Sequence, residues 1–540
     1  MQRDLSALAR QTYDLAIIGG GINGAATARE AALRGLKVAL VDARDFSAGT
    51  SSRSSKLIHG GLRYLEQFDF KLVHESRTER RILLALAPHL AIPLPFVLPI
   101  YRGDPYYPLK IRVGLTIYDL LGNLGRADRH RMLNREEALR LIPALEAQDL
   151  RAAAVYYDSE TDDARLTLEM VLAAAERGAT VANYAEIRAF QTSRSSAGIA
   201  SAEVEDRLSG RRFELAARFW VNAAGPWVDH VRALLPGFDG AKTVRLTRGT
   251  HVILPAVSPD HALFAAVRPG DRIFLMLPWH GHALLGTTDT DFDGDPASVQ
   301  PDQADIDYLL SAVNRVLRQP LAAHDVMGSF AGLRALAIEP GRSPSANTRE
   351  YRFHEESEVK NFITICGGKL TTARALGEKL VDRIAAQLGA TTTSAQVSRT
   401  TPLPGGNTGP FEDFVKRATE VAKDIGVAAP TAERIVRTYG SRWIEVLGPI
   451  RKNSGLAEPL AGNPSLLTAE VQFAIRHEMA SNVEDFLVRR SGLNWLAACA
   501  LREAAPAVAE IFARELGWTP TQREASLAAF ACCCHAPASP

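Results

Sequence analysis

The chain has 540 residues and a formal net charge of +1, with 62 Lys and Arg against 61 Asp and Glu. This balance gives no overall attraction to polyanions, so the composition argues against a nucleic-acid-binding protein. Five cysteines do not make a disulfide framework. The start lacks the apolar core of a signal peptide, and no stretch approaches the roughly 18 apolar residues of a membrane span. We therefore expect a globular protein of roughly two to four domains from a reducing cytoplasm.

The first forty residues carry the pattern of a dinucleotide-binding βαβ unit. Buried strands are predicted over Leu15–Ile18 and Val38–Val41, with an alanine-rich helix between them. The fingerprint glycines Gly19, Gly21 and Gly24 suit a tight turn, close approach of a pyrophosphate and close helix packing. Asp42 follows the second strand, where an acid accepts ribose hydroxyls and disfavours a 2′-phosphate. FAD and nicotinamide dinucleotides both fit this unit.

A polar, glycine-rich and cationic stretch follows over residues 49–66. Its hydroxyl groups and cations can line a cofactor or bind an anion. Interleaved leucine, isoleucine and tyrosine residues argue against a purely solvated loop. Shorter motifs recur through the chain at residues 162–166, 221–227, 249–252, 286–289, 331–334 and 367–372.

Together, residues 19–24, residues 50–66 and the shorter motifs resemble the FAD-dependent glycerol-3-phosphate dehydrogenases. These respiratory enzymes are unrelated to the soluble NAD-linked ones. The resemblance is firm over residues 13–400 and looser beyond. It implies an α/β fold: a Rossmann-type FAD-binding domain with a β-rich substrate-binding insertion, followed by an α-helical C-terminal domain.

The domain division follows from the same pattern. We expect an FAD-dependent oxidoreductase region over residues 1–400 and the α-helical C-terminal domain over residues 401–540. The FAD-binding parts are expected at about 13–90, 150–240 and 325–390, and the substrate-binding parts at about 91–149 and 241–324. A linker rich in Thr, Ser, Pro and Gly is predicted over Ala390–Thr408, before helices around 411–425, 430–447, 467–490, 493–516 and 520–531.

A late strand and helix favour FAD over NAD. The buried strand Phe362–Cys366 leads through two glycines into a helix that ends at Gly389. In the flavoproteins of the resemblance, that helix N-terminus faces flavin N1 and the C2 carbonyl, where negative charge gathers on reduction. The cofactor contacts implied are Gly19, Gly21, Asn23, Gly24, Asp42, Thr50, Ser51, Ser55, Lys56, Leu57, His59, Gly60, Gly61, Ala224, Gly225, Gly332, Gly368, Lys369, Leu370 and Thr371.

A phosphorylated substrate would need more than one cation. A single opposite charge at about 4 Å contributes roughly 4 kcal/mol at an effective dielectric of 20, whereas desolvation costs several kcal/mol per ion. Arg63, Arg334 and Lys369 are the candidates, and the resemblance implies that Arg334 lies closest to the reacting alcohol. Tyr64 and Thr288 are expected to orient the substrate, although packing or capping would also explain them.

Alcohol oxidation also needs a base for the hydroxyl proton. His251 is the first choice and His59 the second, because an imidazole pKa near 6.5 suits proton abstraction at neutral pH. A structural hydrogen bond is the alternative for both. We expect no metal: Cys532, Cys533 and Cys534 lack ligand spacing, and Cys366 is expected to be a small core residue.

The resemblance implies oxidation of sn-glycerol 3-phosphate to dihydroxyacetone phosphate by hydride transfer to flavin N5, with electrons passed to membrane quinone. It also implies a cytoplasmic enzyme associated peripherally with the inner face of the cell membrane. A region between residues 77 and 112 combines positive charge with apolar and aromatic side chains, which suits either an anionic membrane surface or an ordinary domain surface. Its basic residues are Arg77, Arg80, Arg81, Arg102, Lys110 and Arg112, and its apolar or aromatic residues are Phe96, Val97, Leu98, Ile100, Tyr106 and Tyr107. The oligomeric state stays open, with a homodimer as one option, and so does covalent against noncovalent FAD.

Three alternative functions remain at this stage. An oxygen-using glycerophosphate oxidase shares the first half-reaction and would be distinguished by peroxide formation. An amino-acid oxidase of the same architecture would need a carboxylate clamp and no phosphate. A non-catalytic FAD-binding interaction protein would hold FAD that no alcohol reduces.

Overall fold

The computed structural model describes residues 1–65, 68–122, 129–192, 198–267, 272–338, 350–392, 396–496 and 502–533. In chain order the strands are β1 (Thr12–Ile18), β2 (Val38–Val41), β3 (Leu57–Ile58), β4 (Ile92–Tyr101), β5 (Arg131–Asn134), β6 (Leu150–Glu160), β7 (Thr180–Ala182), β8 (Ala185–Thr192), β9 (Ile199–Asp206), β10 (Arg212–Asn222), β11 (Val244–Pro255), β12 (Ala262–Val267), β13 (Arg272–Trp279), β14 (His282–Gly286), β15 (Thr290–Asp291), β16 (Gly328–Ala337), β17 (Arg352–Glu355), β18 (Phe362–Cys366), β19 (Pro459–Leu460) and β20 (Asn463–Leu467).

The helices of the described residues cover the two large sheets and form most of the C-terminal region. They are α1 (Leu5–Arg10), α2 (Ile22–Leu33), α3 (Phe70–Leu86), α4 (Pro108–Gly122), α5 (Arg135–Leu141), α6 (Asp163–Glu176), α7 (Val228–Arg232), α8 (Gln303–Val313), α9 (Ala373–Leu388), α10 (Val397–Thr400), α11 (Phe411–Lys423), α12 (Ala429–Tyr439), α13 (Trp443–Leu447), α14 (Thr468–Glu478), α15 (Val483–Arg489), α16 (Ala505–Leu516) and α17 (Pro520–Cys533). In this part of the chain, no helix combines the length and apolarity needed to cross a membrane.

The first sheet has the strand order β17-β18-β10-β1-β2-β7. Strands β18, β10, β1, β2 and β7 run parallel, and β17 is antiparallel to β18. Strand β1 is apolar because it lies inside the sheet, where Ile17 pairs with Leu40 on one side and Val221 on the other. Both strands predicted in the first forty residues are confirmed, and the buried alanines of α2 let that helix lie close to the sheet.

Strand β10 differs from its prediction. The sequence suggested a hairpin strand that ends at Leu215 and a separate strand from Phe219, but the structure has one strand over Arg212–Asn222. Its first half pairs antiparallel with β9, and its second half pairs parallel with β1 and β18. The alternating pattern stops midway because the second half is buried on both faces.

The second sheet has the order β15-β11-β14-β13-β12-β4-β6-β3, with β16 on β11 and β5 on β6. The sequence pattern predicts strands over Thr250–Leu254, Ile273–Leu277 and His282–Leu285. All three are confirmed; the first two extend at both ends and the third by one residue, to Gly286. The placement of Phe96, Val97, Leu98 and Ile100 on a membrane surface is wrong, since all four are buried in β4.

The positive charge assigned to Arg77 and Arg80 also lies inside the fold rather than on its surface. The Arg77 guanidinium lies 4.1 Å from the Tyr118 ring centroid, and Arg80 donates to the Asp158 carbonyl oxygen at 2.9 Å. A helix pattern read from sequence cannot show which charges are buried, because it has no information on the neighbouring strand.

The C-terminal region is helical, as predicted, but two of the predicted helices are divided. The 430–447 helix breaks at Gly440, and the 467–490 helix breaks at Met479, where φ reaches +53° and +56°. The segment over residues 390–408, which was predicted as a linker, packs in part against the helices beside the first sheet and is not wholly exposed to solvent. Ser398 is fully buried there and its hydroxyl accepts a hydrogen bond from Arg374. The prediction for residues 497–501 lies outside the described residues.

Candidate active site

A cavity of about 880 Å³ lies between the carboxyl ends of the parallel strands and the second sheet. This edge of an open parallel sheet is where such folds bind ligands. The cavity extends from Asp42 past the glycine turn to His251 and Arg334. Most of the residues predicted to contact a cofactor line it, whereas Gly24, Lys56 and Gly60 lie behind its wall.

The glycine turn requires glycine on geometric grounds. Gly19 has φ +105°, and a Cβ there would lie 2.6 Å from the Ala223 carbonyl oxygen. A Cβ on Gly24 would lie 1.9 Å from the Gly19 oxygen, so any side chain would push α2 off the turn. The Ser51 hydroxyl accepts a hydrogen bond from the Ile22 N–H at 2.9 Å, which ties the 49–66 stretch to the first turn of α2.

Asp42 lies at the end of β2 with both carboxylate oxygens directed at backbone donors. Oδ2 accepts from the Gly20 N–H at 2.6 Å, and Oδ1 accepts from the Arg44 N–H at 2.8 Å. Burial raises the pKa of Asp42 to about 6, against the opposing effect of these two hydrogen bonds. The carboxylate is therefore held in a position where its charge is disfavoured until a ligand hydroxyl can donate to it.

We expect Asp42→Asn to stabilise the cofactor-free protein at pH 8 while it weakens FAD binding. A carboxyl whose folded pKa is raised destabilises the folded state above that pKa, and this cost disappears as the pH falls from about 6 to about 4. Urea unfolding of cofactor-free protein should therefore show a gap between variant and wild type that closes on acidification. A gap that stays constant with pH would contradict the assignment.

The middle of the 49–66 stretch is fixed by one buried acid. The Asp163 carboxylate accepts from Lys56 Nζ at 2.7 Å and from the Ser54 hydroxyl at 2.6 Å. Lys56 is 1% exposed, and its Nζ also lies 5.4 Å from the Trp279 ring centroid. The lysine predicted to touch the cofactor is thus used to hold the stretch against α6.

His251 is a buried ring on the cavity wall. Its Nε2 lies 2.8 Å from the Ser55 hydroxyl, and its ring stacks on Phe330 with centroids 5.0 Å apart. Burial, together with the nearby charges of Arg334 and Lys56, lowers the pKa of His251 to about 3. The imidazole is therefore neutral at pH 7, and the pKa near 6.5 assumed from the sequence does not apply in the cofactor-free protein.

Lys369 provides an unpaired cation in the cavity. Its Nζ is buried, lies 4.1 Å from the Tyr64 ring centroid and has no hydrogen-bond partner among the described residues. A buried ammonium without a partner costs several kcal/mol, so this position fits an anionic ligand. The His59 N–H donates to the Thr371 hydroxyl at 3.2 Å, which brings a further predicted residue to the same end. The Arg63 side chain lies outside the described part of the chain.

Arg334 also lines the cavity and is held by the turn after β14. Its guanidinium donates to the Thr288 carbonyl oxygen at 3.1 Å and to the Thr287 hydroxyl at 3.2 Å. Thr287 lines the cavity, whereas the Thr288 hydroxyl points away and accepts from the Thr250 N–H at 3.0 Å. The sequence motif located the turn but not which of its two threonines faces the cavity.

Sequence reasoning missed Asp158 and the apolar wall beside it. One Asp158 oxygen accepts from the Gly60 N–H and the Tyr118 hydroxyl, each at 2.9 Å. The available signal was an acid directly after the apolar run of residues 152–157 in β6, since a buried carboxylate requires donors. The neighbouring apolar wall consists of Leu62, Phe96, Tyr156, Phe264 and Leu275.

The residues present fit an FAD molecule. The glycine turn and the α2 N-terminus suit a pyrophosphate, and Asp42 suits a ribose. At the other end, a Cβ on Gly368 would lie 2.7 Å from Asn23 Nδ2, and the Asn23 Oδ1 is buried with no hydrogen-bond partner in the part of the chain that the structure describes. Close backbone approach and orphaned polar atoms of this kind match a flat, polar-edged ring system.

Comparison with known proteins gives consistent results over nearly the whole chain. Residues 14–383 match the family described as FAD dependent oxidoreductase, and residues 396–523 match the C-terminal domain of alpha-glycerophosphate oxidase. The aerobic glycerol-3-phosphate dehydrogenase of Staphylococcus haemolyticus is 36% identical over 527 residues, which cover 96% of this chain and 93% of that protein. Its Staphylococcus aureus counterpart is 35% identical over the same shares.

Solved structures of related flavoproteins share this fold. The glycerol-3-phosphate dehydrogenase from Bacillus halodurans, complexed with FAD, has a TM-score of 0.79 at 29% identity, covering 98% of this chain and 96% of that one. The L-alpha-glycerophosphate oxidase from Mycoplasma pneumoniae shares the fold, with a TM-score of 0.54 at 19% identity, 71% of this chain and 96% of that one. The chain belongs to the FAD-dependent aerobic glycerol-3-phosphate dehydrogenase family.

Proposed function

We propose that this chain oxidises sn-glycerol 3-phosphate to dihydroxyacetone phosphate and passes the electrons to a membrane quinone. The observation that carries the proposal is the buried Lys369 Nζ, which has no hydrogen-bond partner among the described residues and lies in the same cavity as Arg334. Two cations in an enclosed site suit a phosphate ester, which a single cation would not compensate. Bound FAD supplies the hydride acceptor, flavin N5.

The protein's own side chains then bind and orient the alcohol. Lys369 and Arg334 hold the phosphate and the reacting end, with Tyr64 packed beside Lys369. Arg63 remains a predicted third cation, and Thr288 acts through the turn that holds Arg334. This arrangement leaves the hydroxyl group facing the wall that carries His251.

His251 is our first candidate for the base, and His59 stays the second. A neutral imidazole can accept a proton at Nε2, where the Ser55 hydroxyl now lies at 2.8 Å. A bound phosphate anion would offset the Arg334 and Lys56 charges, which contribute after burial to the low His251 pKa. Substrate binding thereby makes His251 a stronger base than it is in the cofactor-free protein.

We also propose the domain division expected from the sequence. Parts 13–90, 150–240 and 325–390 hold FAD, parts 91–149 and 241–324 hold the substrate, and 401–540 form the C-terminal domain. In support, strands β4, β5 and β11–β15 of the second sheet all come from the substrate-binding parts. Strands β3, β6 and β16 join the same sheet from the FAD-binding parts, so the two units share their boundary strands.

Helix α4 offers a surface for peripheral contact with the inner face of an anionic membrane. Leu109, Val113 and Leu120 are exposed apolar side chains on this helix, and Phe68 and Tyr107 are exposed outside it. We call these five residues, which are between 52% and 78% exposed, the α4 surface. Lys110 and Arg112 are exposed on the same helix. Apolar side chains flanked by cations suit the boundary between acyl chains and anionic headgroups.

The apolar cavity wall near Phe96 and Phe264 suits a quinone ring.

The first experiment is anaerobic addition of glycerol 3-phosphate to the purified flavoprotein. We expect the flavin absorbance to bleach with the phosphate ester and to persist with glycerol or an amino-acid mixture. An unchanged spectrum would overturn the substrate assignment and favour a non-catalytic FAD-binding protein.

The electron acceptor is tested with the reduced enzyme. We expect rapid reoxidation by quinone carried in vesicles of anionic lipid, and slower reoxidation with neutral vesicles. Rapid oxygen uptake with peroxide formation would instead identify a glycerophosphate oxidase.

A further inference from the structure

A stack of three aromatic rings joins the C-terminal region to the cavity wall. The His251 and Phe330 rings lie 5.0 Å apart at 11°, and the Phe330 and Trp495 rings lie 5.5 Å apart at 18°. Trp495 is 3% exposed and does not line the cavity. Because stacked rings restrain one another's tilt, the orientation of the His251 ring depends on a residue of another region.

The same tryptophan holds the backbone of the 49–66 stretch. The Trp495 indole N–H donates to the Ser52 carbonyl oxygen at 2.8 Å, and the Arg53 guanidinium lies 4.8 Å from the Trp495 ring centroid. Three residues after Ser52, the Ser55 hydroxyl contacts His251 Nε2. Trp495 therefore supports His251 both through Phe330 and through the backbone that carries Ser55.

Asn494 fixes the same stretch through its acid partner. Its Nδ2 donates to Asp162 Oδ1 at 3.0 Å and to Asp163 Oδ1 at 3.3 Å. Asp163 in turn accepts from Lys56 and Ser54. Asn494 is fully buried, so its amide belongs to the interior of the interface.

We propose that Trp495 and Asn494 are positioning residues for the reaction, through which the C-terminal domain completes the active site. Neither lines the cavity: Trp495 holds Ser52 and reaches the His251 ring through Phe330, whereas Asn494 acts on residues 54–56 through Asp163. The inference rests on the proposed function for its kinetic test. Misplacing a reacting group by about 1 Å can lower a rate roughly 100-fold, so loss of this support should reach catalysis.

The test compares two tryptophans of the C-terminal domain. Trp495→Leu removes the stack and the indole N–H, and Trp518→Leu is the matched control. Trp518 stacks on Phe512 with centroids 5.3 Å apart and does not line the cavity. We expect Trp495→Leu to lower kcat/KM for glycerol 3-phosphate roughly 10- to 100-fold, mostly through kcat, and Trp518→Leu to stay within about twofold.

Two milder variants keep the test decisive if Trp495→Leu does not fold. Trp495→Phe retains a stacking ring and should recover most of the lost kcat. Asn494→Gly tolerates the φ of +56° and deletes only the amide. Visible circular dichroism of bound FAD provides a readout besides activity, and it should change in the Asn494 and Trp495 variants but not in Trp518→Leu.

The outcomes separate this inference from the proposed function. If glycerol 3-phosphate does not reduce the wild-type flavin, the proposed function fails, whereas the circular dichroism comparison still decides the positioning role. If Trp495→Leu and Asn494→Gly, or Asn494→Gly alone where Trp495→Leu does not fold, match Trp518→Leu in both kcat and circular dichroism, the positioning role is overturned.

Discussion

Replacing Lys369 with methionine is expected to lower kcat/KM for glycerol 3-phosphate by roughly 100-fold or more. Methionine keeps the length of the side chain but removes the cation, and loss of one partner of a buried charge pair costs about 2–5 kcal/mol. In the protein without ligands, the Lys369 Nζ has no hydrogen-bond partner within the described residues, so the substitution breaks no hydrogen bond there and gives up the contact with the Tyr64 ring, whose centroid lies 4.1 Å away. The substitution should therefore lower kcat/KM for glycerol 3-phosphate and leave the melting temperature nearly unchanged.

Lys379→Met is the matched control. Lys379 lies ten residues further along the chain, in helix α9, and its side chain is 52% exposed and pairs with Glu75 at the surface. We expect this variant to keep wild-type kinetics. Oxidation of glycerol, which has no phosphate, should be equally slow in wild type and Lys369→Met. An equal loss of activity in both lysine variants would remove the assigned role of Lys369.

Replacing Asp45 with asparagine is expected to destabilise the protein by about 3–5 kcal/mol, because the buried Arg490 guanidinium loses the carboxylate that pairs with both of its Nη atoms, whereas Arg489 keeps Glu484 and Asp485 as partners. Asp45 is 1% exposed and accepts from Arg489 Nε at 2.6 Å and from Arg490 Nη1 at 2.7 Å. Both arginines belong to the C-terminal domain, so the pair network fastens that domain beside the turn that follows Asp42. Burial alone would raise the Asp45 pKa, but Arg490 and Arg489 hold it at about 2.

Urea unfolding as a function of pH tests this assignment. Because the folded pKa of Asp45 is depressed, its contribution is fully present above the unfolded value near 3.9. That contribution disappears as the pH falls toward about 2, so the gap between wild type and Asp45→Asn should close in that range. The exposed Asp413→Asn serves as control and should show no gap. A pH-independent difference would mean that the substituted amide disturbs packing rather than charge.

Much of the fold followed from local pattern. Apolar runs located β2 and β18 at their predicted bounds and the end of β1 at Ile18, because these strands are buried along nearly their whole length, whereas β1 begins at Thr12, three residues before the predicted Leu15. The stop of α9 at Gly389 is equally local, since φ there is +60°. Helix breaks at Gly440 and Met479 were missed because an amphipathic pattern continues across them.

The rest of the site depended on tertiary contacts that sequence does not display. In the sequence, Lys56 cannot be distinguished from the other cations of the 49–66 stretch. The structure shows that it pairs with Asp163. The low His251 pKa comes first from burial and then from Arg334 and Lys56, which lie far away in the chain. Trp495 could be read only as a packing residue, because its ring partner Phe330 lies 165 positions earlier.

The strand order of the first sheet also has a consequence for biosynthesis. Strands β1 and β2 are made first, but β10, which pairs with β1, and the segment before α9 that carries Lys369 follow much later in the chain. At translation rates of about 5–20 residues per second, Thr371 emerges roughly 20–75 s after the start. A nascent chain therefore exposes an unpaired β1 edge for tens of seconds, and the cavity can enclose a dinucleotide only once most of the chain has been made.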